Sequence, residues 1–419
     1  MKKLLILGSD FGTLDIAKKA KKLGHYVVTA DLMKDSFTKK ISDESWLIST
    51  ADIETLEDLC RKNKIDGIIA GASDFNNEKA KILAQKLRLP TPYENPLAEE
   101  AGVNKRLFKN LCIKCGVPVA KDFIVKDINR LEDVDIVFPV VVKPIDASGN
   151  RGMNYCSNYE QLREAIQKAH EISSSPDVIV ERELNGPEYA VHYIVRDGQP
   201  YLYYFASEHN EPGQRNNMYS LVTTTSTHLK QYLYEMNEGI KEVFRKAGCT
   251  NGIAWIECIR DTDGHFYCFE MGYRFGATML YSNFEEFIGY SALEFMINFT
   301  LGETTSIPVE LSTSHTGISA SYHLFMASPG VIGEIKGLED IEKHDNIIID
   351  MPKREGTPVQ KGRHLGVIRM SSKNVDELIS TLRFINSRLR VNDEKGRDLL
   401  IHFTDYNTLQ TEAEIGLIQ

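Results

Sequence analysis

Hydrophobic and polar positions follow two alternating periods over the first hundred residues. Residues 3 to 7 (KLLIL) are an unbroken apolar run, the mark of a strand buried on both faces, and a glycine-bearing turn follows. Ile16, Ala17, Ala20 and Leu23 then recur at helical spacing as far as Gly24, where a helix is expected to stop. YVVTAD supplies a second strand, residues 53 to 62 a second helix, IDGIIAGA a third strand and residues 77 to 88 a third helix. This alternation predicts a parallel sheet with crossover helices, so residues 1–103 read as an α/β domain.

The pattern changes after the proline-rich PTPYENP. Asn104 is placed to cap a helix whose apolar side is Leu107, Phe108, Leu111, Cys112 and Cys115, ended by Gly116 and Pro118. Over residues 104–309 the strands read as antiparallel pairs, with helices at 158–172 and 229–247, an α+β pattern. Residues 310–419 hold strand patterns near 318–325 and 364–371, a helix pattern over 374–388 and a final apolar LLIHF, and read as a smaller α+β domain. No internal repeat or low-complexity segment interrupts the series.

Three segments carry candidate chemistry. In the first, Gly8-Ser-Asp-Phe-Gly12 with Asp31 beyond the second strand, only two of the three glycines of a dinucleotide fingerprint can be placed, at the wrong spacing. A tight strand-to-helix turn explains both glycines. In the second, VVVKPIDASGNRGM, three β-branched residues bring Lys143 to a strand end. Ser148, Gly149, Arg151 and Gly152 then supply a turn whose amides and cation suit anionic oxygens, unless it is merely a polar hairpin. No GK[ST] follows, so it is not a Walker A loop.

The third, GIAWIECIRDTDGHFYCFEMGYR, makes a geometric prediction. Asp263-Gly264 favours a two-residue hairpin turn in which Thr262 faces His265, and counting back places Glu257 directly opposite Glu270. Opposed side chains have Cβ atoms about 4.5–5.5 Å apart, where like charges destabilise a sheet. Ile253, Trp255 and Ile259 share the face of Glu257 and shield it. A shared proton, an intervening arginine or a divalent cation would offset the repulsion; Mg²⁺ shared with ligand phosphates answers it best. Arg274 follows, placed for an anion. Between these segments, VIVERELNGPEYAVHYIV reads as strand, connector and strand, with Glu181 and Glu188 at its ends. His209, Arg215 and Tyr219 lie in a polar stretch that receives no role.

Composition narrows the classes. Forty-nine Lys and Arg against fifty-nine Asp and Glu give a net charge of −10, which disfavours nucleic acid. No apolar run reaches the roughly 18 residues of a membrane span, and the start MKKLLILGSDFG breaks too early for a secretory signal. Seven scattered cysteines suit a reducing compartment, so a cytoplasmic location without nucleic-acid or membrane partners is expected. Cys112 and Cys115 form a lone CxxC inside a helical pattern and read as core thiols.

Taken in order, NKRLFKNLCIKCGVPVA, FPVVVKPIDASGNRGM, VIVERELNGPEYAV and FEMGYRFGA resemble the ATP-grasp superfamily, which includes biotin carboxylase, glycinamide ribonucleotide synthetase and amino-acid ligases. The resemblance covers nearly the whole chain. It implies a pre-grasp parallel-sheet domain, a grasp domain of two α+β subdomains and a C-terminal lid. It further implies ATP as cosubstrate, with Lys105 and Lys143 on its phosphates and Ser148 to Gly152 closing over them. Glu181, Arg182 and Leu184 would line the adenine and Glu188 the ribose. Glu257 and Glu270 would hold Mg²⁺ or Mn²⁺, and Arg274 would stabilise an acyl phosphate. The implied reaction joins a small-molecule carboxylate to an amine, and a homodimer is favoured. The alternatives are a biotin carboxylase-like or glycinamide ribonucleotide synthetase-like enzyme and, from another class, a nucleotide-binding sensor without turnover. Two departures stand out: Gly272 where the family often has asparagine, and Asn104 where it has aspartate.

Overall fold

The computed structural model describes residues 1–419 apart from 148–150, 174, 176, 212–218, 225–226, 306–316, 352–354 and 419, and the backbone alone over 414–418. In the N-terminal parallel sheet, Lys3–Leu7 lies between Tyr26–Ala30 and Gly67–Ala70, with Glu44–Trp46 at the edge. The apolar run KLLIL is buried on both faces. Leu4 and Ile6 pack with Ile16, Ala17 and Ala20 of helix Phe11–Lys22, while Leu5 and Leu7 meet Leu56, Cys60 and Leu83 on the other side. The edge strand has one buried residue in three and leaves no period in the sequence.

Two helices differ from expectation in ways that shape the cleft. The helix expected to begin at residue 77 spans Asp74–Leu87, because Ser73 caps it by accepting from the Asn76 N–H. Inside PTPYENP, read as a boundary, Asn95 caps a helix over Pro96–Val103 with proline at its first turn.

An eight-stranded antiparallel sheet forms the centre, in the order Phe266–Gly272, Gly252–Arg260, Glu188–Arg196, Gln199–His209, Leu221–Thr223, Ile318–Phe325, His364–Ser372 and Ile347–Asp350. Strands on both sides of residue 310 belong to it, so the expected division there runs through a continuous sheet. One face carries Val191, Ala254, Ile256, Cys258 and Met271 against helices Lys105–Lys114 and Asn237–Ala247. The expected single helix over 229–247 is two, Leu229–Glu235 and Asn237–Ala247, separated at Met236. Cys112 lies in this core, where burial pushes its thiol far up, and Cys115 is partly buried beside it. Both are free thiols, as core residues should be.

A smaller sheet of Asn154–Cys156, Val140–Pro144 and Val178–Arg182 stands opposite the other face of the large sheet. Val140 and Val142 pack with Leu162, Ala165, Ile166 and Ala169 of helix Tyr159–Ile172, which turns Val141 and Lys143 the other way. LLIHF is not a regular strand: Leu399, Leu400 and Phe403 are buried, the Ile401 N–H donates to the Phe325 carbonyl, and helix Tyr406–Ile418 follows. Among the described residues no helix is long and apolar enough to cross a membrane.

Candidate active site in the cleft between the sheets

The hairpin delivers the expected pair by a different route. Glu257 stands directly opposite Glu270, but the turn is not the two-residue one. The Asp261 N–H donates to the His265 carbonyl, enclosing the three-residue loop Thr262-Asp263-Gly264, with Gly264 at φ 86° where a glycine is favoured. That loop alone would shift the pairing by one residue. A bulge restores it: Cys258 pairs with Cys268 while Glu257 pairs with Glu270, leaving Phe269 as the extra residue. Both Phe269 and Glu270 thereby line the cleft, and the two glutamates share it.

Burial, and then the Glu270 carboxylate, push Glu257 up to about 8. The repulsion is answered in part by a group that was not among the three expected solutions. Lys105, at the first turn of its helix, places Nζ 3.0 Å from Glu270 Oε1 and donates to the Ala147 carbonyl at 2.8 Å. Asn104 caps this helix by accepting from the Arg106 and Leu107 N–H groups, so the departure from aspartate keeps the cap. Hard carboxylate oxygens on directly paired residues suit a divalent cation whose coordination is completed by phosphates and water. Among the described residues, no group of three or more His, Cys, Asp or Glu is arranged to hold a metal ion by itself.

Lys143 lies 2.6 Å from Glu181 Oε1 and 5.0 Å over the Phe269 ring. The second oxygen of Glu181 accepts at 2.6 Å from Lys109, a buried lysine one helical turn beyond Lys105. Burial alone would raise the Glu181 carboxyl; the two lysines outweigh it and bring it down to about 2. The sequence reading missed Lys109, although its i+4 spacing from Lys105, beside the buried Phe108, was a usable signal. Lys105, Lys143, Glu181, Arg182, Leu184, Glu188 and Glu270 line one pocket at the mouth of the smaller sheet. The Arg182 guanidinium reaches Asp261 at 2.5 Å and the Tyr267 ring at 5.2 Å, towards the hairpin turn.

Glu188 faces Glu208 across adjacent strands, and burial raises its carboxyl. Arg274 lies 5.0 Å over the Trp255 ring, held through Nε and Nη2 by both oxygens of Asp74 from the N-terminal domain. Arg151 lines the same cleft, which encloses about 790 Å³, and Gly152 adopts φ 77° beside it. Ser148, Gly149 and Arg215 lie outside the described residues. His209 points away from the cleft, its Nε2 2.9 Å from the Thr223 hydroxyl, whereas Tyr219 lines it. At the N-terminal turn Asp10 caps helix Phe11–Lys22, accepting from the Thr13 N–H at 2.8 Å, as a plain strand-to-helix turn requires.

Comparison with known proteins places this geometry. Residues 136–281 match the model of the ATP-grasp domain. Those residues carry an ATP-grasp domain. It is 25% identical over 313 residues to the N-terminal section of the carbamoyl phosphate synthase large chain of Aquifex aeolicus, covering 65% of this chain and 53% of that protein. The chain thus spans about half the length of this curated relative. Its fold is similar to that of an L-amino acid ligase from Bacillus licheniformis, with a TM-score of 0.78 and 18% identity over 94% of this chain and 99% of the other. It is also similar to biotin carboxylase from Campylobacter jejuni, with a TM-score of 0.77 and 16% identity over 99% and 95%.

Within the ATP-grasp pattern the departure at Gly272 has a steric cause. Trp255 stands opposite Gly272 in the hairpin, and a Cβ on residue 272 would come within 2.2 Å of indole Cζ2. The space that an asparagine side chain would need is filled by Trp255, the same ring that carries Arg274. The bulge that sets Glu270 and the ring that excludes asparagine therefore belong to one hairpin.

Proposed function

We propose that this ATP-grasp protein is an ATP-dependent carboxylate–amine ligase. The observation that carries the reading is the direct opposition of Glu257 and Glu270 beneath the Lys105 and Lys143 ammonium groups, in a cleft walled by two sheets. A carboxylate oxygen of the substrate attacks the γ-phosphorus of ATP, forming an acyl phosphate and releasing ADP. The amine nitrogen then attacks the acyl carbon; the C–N bond forms, the C–O bond to phosphate breaks, and the amine gives up a proton.

The first step needs charge neutralisation and alignment rather than covalent help from the protein. Lys105 exchanges Glu270 for phosphate oxygens, and Lys143, still held by Glu181, donates its remaining N–H groups to them. Glu257 and Glu270 would hold a Mg²⁺ or Mn²⁺ ion, which would supply charge neutralisation for the phosphoryl group. Glu181 and Lys109 keep Lys143 in place, Arg182 and Leu184 border the adenine, and Glu188 meets the ribose. Arg274, fixed by Asp74 and Trp255, receives the acyl phosphate. Arg151 and Gly152 border the triphosphate and help exclude water that would hydrolyse the intermediate.

Incubation with MgATP and pairs of amino acids is expected to release ADP and phosphate in equal amounts with an amide product. ADP release only with bicarbonate and biotin would replace this reading with carboxylation, and nucleotide binding without ADP under every pair would replace it with a sensor.

A further inference from the structure

Beside Glu188 and the opposed glutamates, the cleft wall holds polar atoms without partners. Eleven buried side-chain nitrogens and oxygens among the described residues lack a hydrogen bond, and five of them, on His192, Glu208, Asn210, Trp255 and His364, line this cleft. An orphaned buried polar atom costs about 1–3 kcal/mol, so several in one wall mark the place of a ligand. Glu208 is 8% exposed, His192 0% and Trp255 6%. The orphans divide by chemistry. Trp255 Nε1 is a donor, and it lies under Arg274. His192 Nε2 joins it as a donor: the Gly276 N–H donates to the Tyr281 hydroxyl, whose own proton is then free for His192 Nδ1. Glu208 Oε1, in strand Gln199–His209, and Asn210 Oδ1, just past its end, are acceptors; burial and the Glu257, Glu188 and Glu270 carboxylates raise the Glu208 carboxyl well above its ordinary range, a cost that an entering ammonium would offset.

The acceptor end is walled by aromatic and imidazole rings, of which His364 keeps the orphaned Nε2. His323 stacks on Phe325 with centroids 6.2 Å apart, His364 lies 4.8 Å from Phe325, and Tyr219 meets His323 edge-on at 5.2 Å. All four line the cleft. Burial drives both histidines down, His364 to about 4, so these walls are neutral at pH 7 and do not repel a cation.

We propose that Glu208 and Asn210 form an ammonium subsite, and that the ligand entering it is an amine carrying an aromatic ring, its ammonium on Glu208 Oε1 and Asn210 Oδ1 and its ring against Tyr219, His323, Phe325 and His364. If the ligase reading holds, on which this part rests, that ligand is the amine substrate. The donors Trp255 Nε1 and His192 Nε2 then face the carboxylate and acyl phosphate, so the two substrates meet between ends of opposite polarity.

Calorimetric titration of the full chain with phenethylamine, 2-phenylethanol and ethylamine, in the presence of MgADP, tests this directly. The wild type should bind phenethylamine about tenfold or more tighter than either comparison compound, the alcohol lacking the charge and ethylamine the ring. Glu208→Gln should reduce the preference over the alcohol to about twofold or less, with MgADP binding and melting temperature preserved. Asn210→Ala, at a partly buried position, should weaken phenethylamine about threefold to tenfold and gives a second reading if the Glu208 variant is unstable. Absence of binding by all three probes, equal binding of amine and alcohol, or a preference that survives Glu208→Gln would overturn the subsite. An ammonium preference without ADP formation under any substrate pair would leave the subsite standing and remove the ligase reading. Amide formation without an ammonium preference would do the reverse.

Discussion

The two ends of the cleft solve the problem of buried polar groups in opposite ways. On the nucleotide side the cations are held by carboxylates: Lys105 by Glu270, Lys143 and Lys109 by Glu181, and Arg274 by Asp74. Elsewhere in the same wall Glu208, Asn210, His192 and His364 keep atoms with none. A triphosphate brings several charges at once, so cations held beforehand by carboxylates can exchange partners without a large change in desolvation. A smaller substrate brings one or two polar groups, and orphaned atoms give it affinity without a competing internal bond to break.

The largest expected effect attacks the nucleotide side. Glu270→Gln should fold and retain some nucleotide affinity while metal-dependent ADP formation falls by about a hundredfold or more, read in a coupled ADP assay. Wild-type turnover in that variant would refute the metal assignment. Next, Lys109→Met leaves a buried carboxylate with one lysine instead of two and should destabilise the fold by about 3 kcal/mol in urea titration. No change would mean that the Glu181 network is not the anchor of Lys143.

The sequence made the hairpin legible because opposed glutamates depend on pairing, and pairing follows from strand pattern and turn residues. The agreement was nevertheless helped by two compensating irregularities, the three-residue loop and the bulge at Phe269, neither of which spacing alone reveals. The core strands were equally readable, since KLLIL and VVV are buried runs. Asp74 and Glu208 were not. Asp74 belongs to a polar first turn that hides a helix start, and it acts on Arg274, 200 residues away in sequence. Glu208 belongs to a strand buried at nearly every position, so neither period nor motif separates it from its neighbours. The edge strands at Glu44–Trp46 and Pro358–Val359 were too short to carry any period.

Asp74→Asn sharpens the contrast at a smaller scale. It should free the guanidinium of Arg274 and lower kcat about tenfold while leaving the KM for ATP unchanged, because Asp74 acts through Arg274 and does not reach the nucleotide. An equal change in both would assign Asp74 to nucleotide binding. The smallest effect concerns acid. The Glu181 carboxyl is held at about 2 against an ordinary 4.5, so its ionised form contributes stability that is full above pH 4.5 and is lost as the pH falls through 2. The stability gap between wild type and Glu181→Gln, measured by urea titration, should therefore be constant from pH 7 to about 5 and narrow below that. A gap that widens in acid would contradict the paired-charge account.

Trapping with hydroxylamine tests the central claim most directly. The protein, incubated with MgATP, hydroxylamine and each amino acid in turn as the carboxylate, should yield a hydroxamate and an equal amount of ADP for at least one of them, and none with Glu270→Gln or without the metal. ADP released with no hydroxamate from any carboxylate, or hydroxamate formed equally well by the variant, would contradict it.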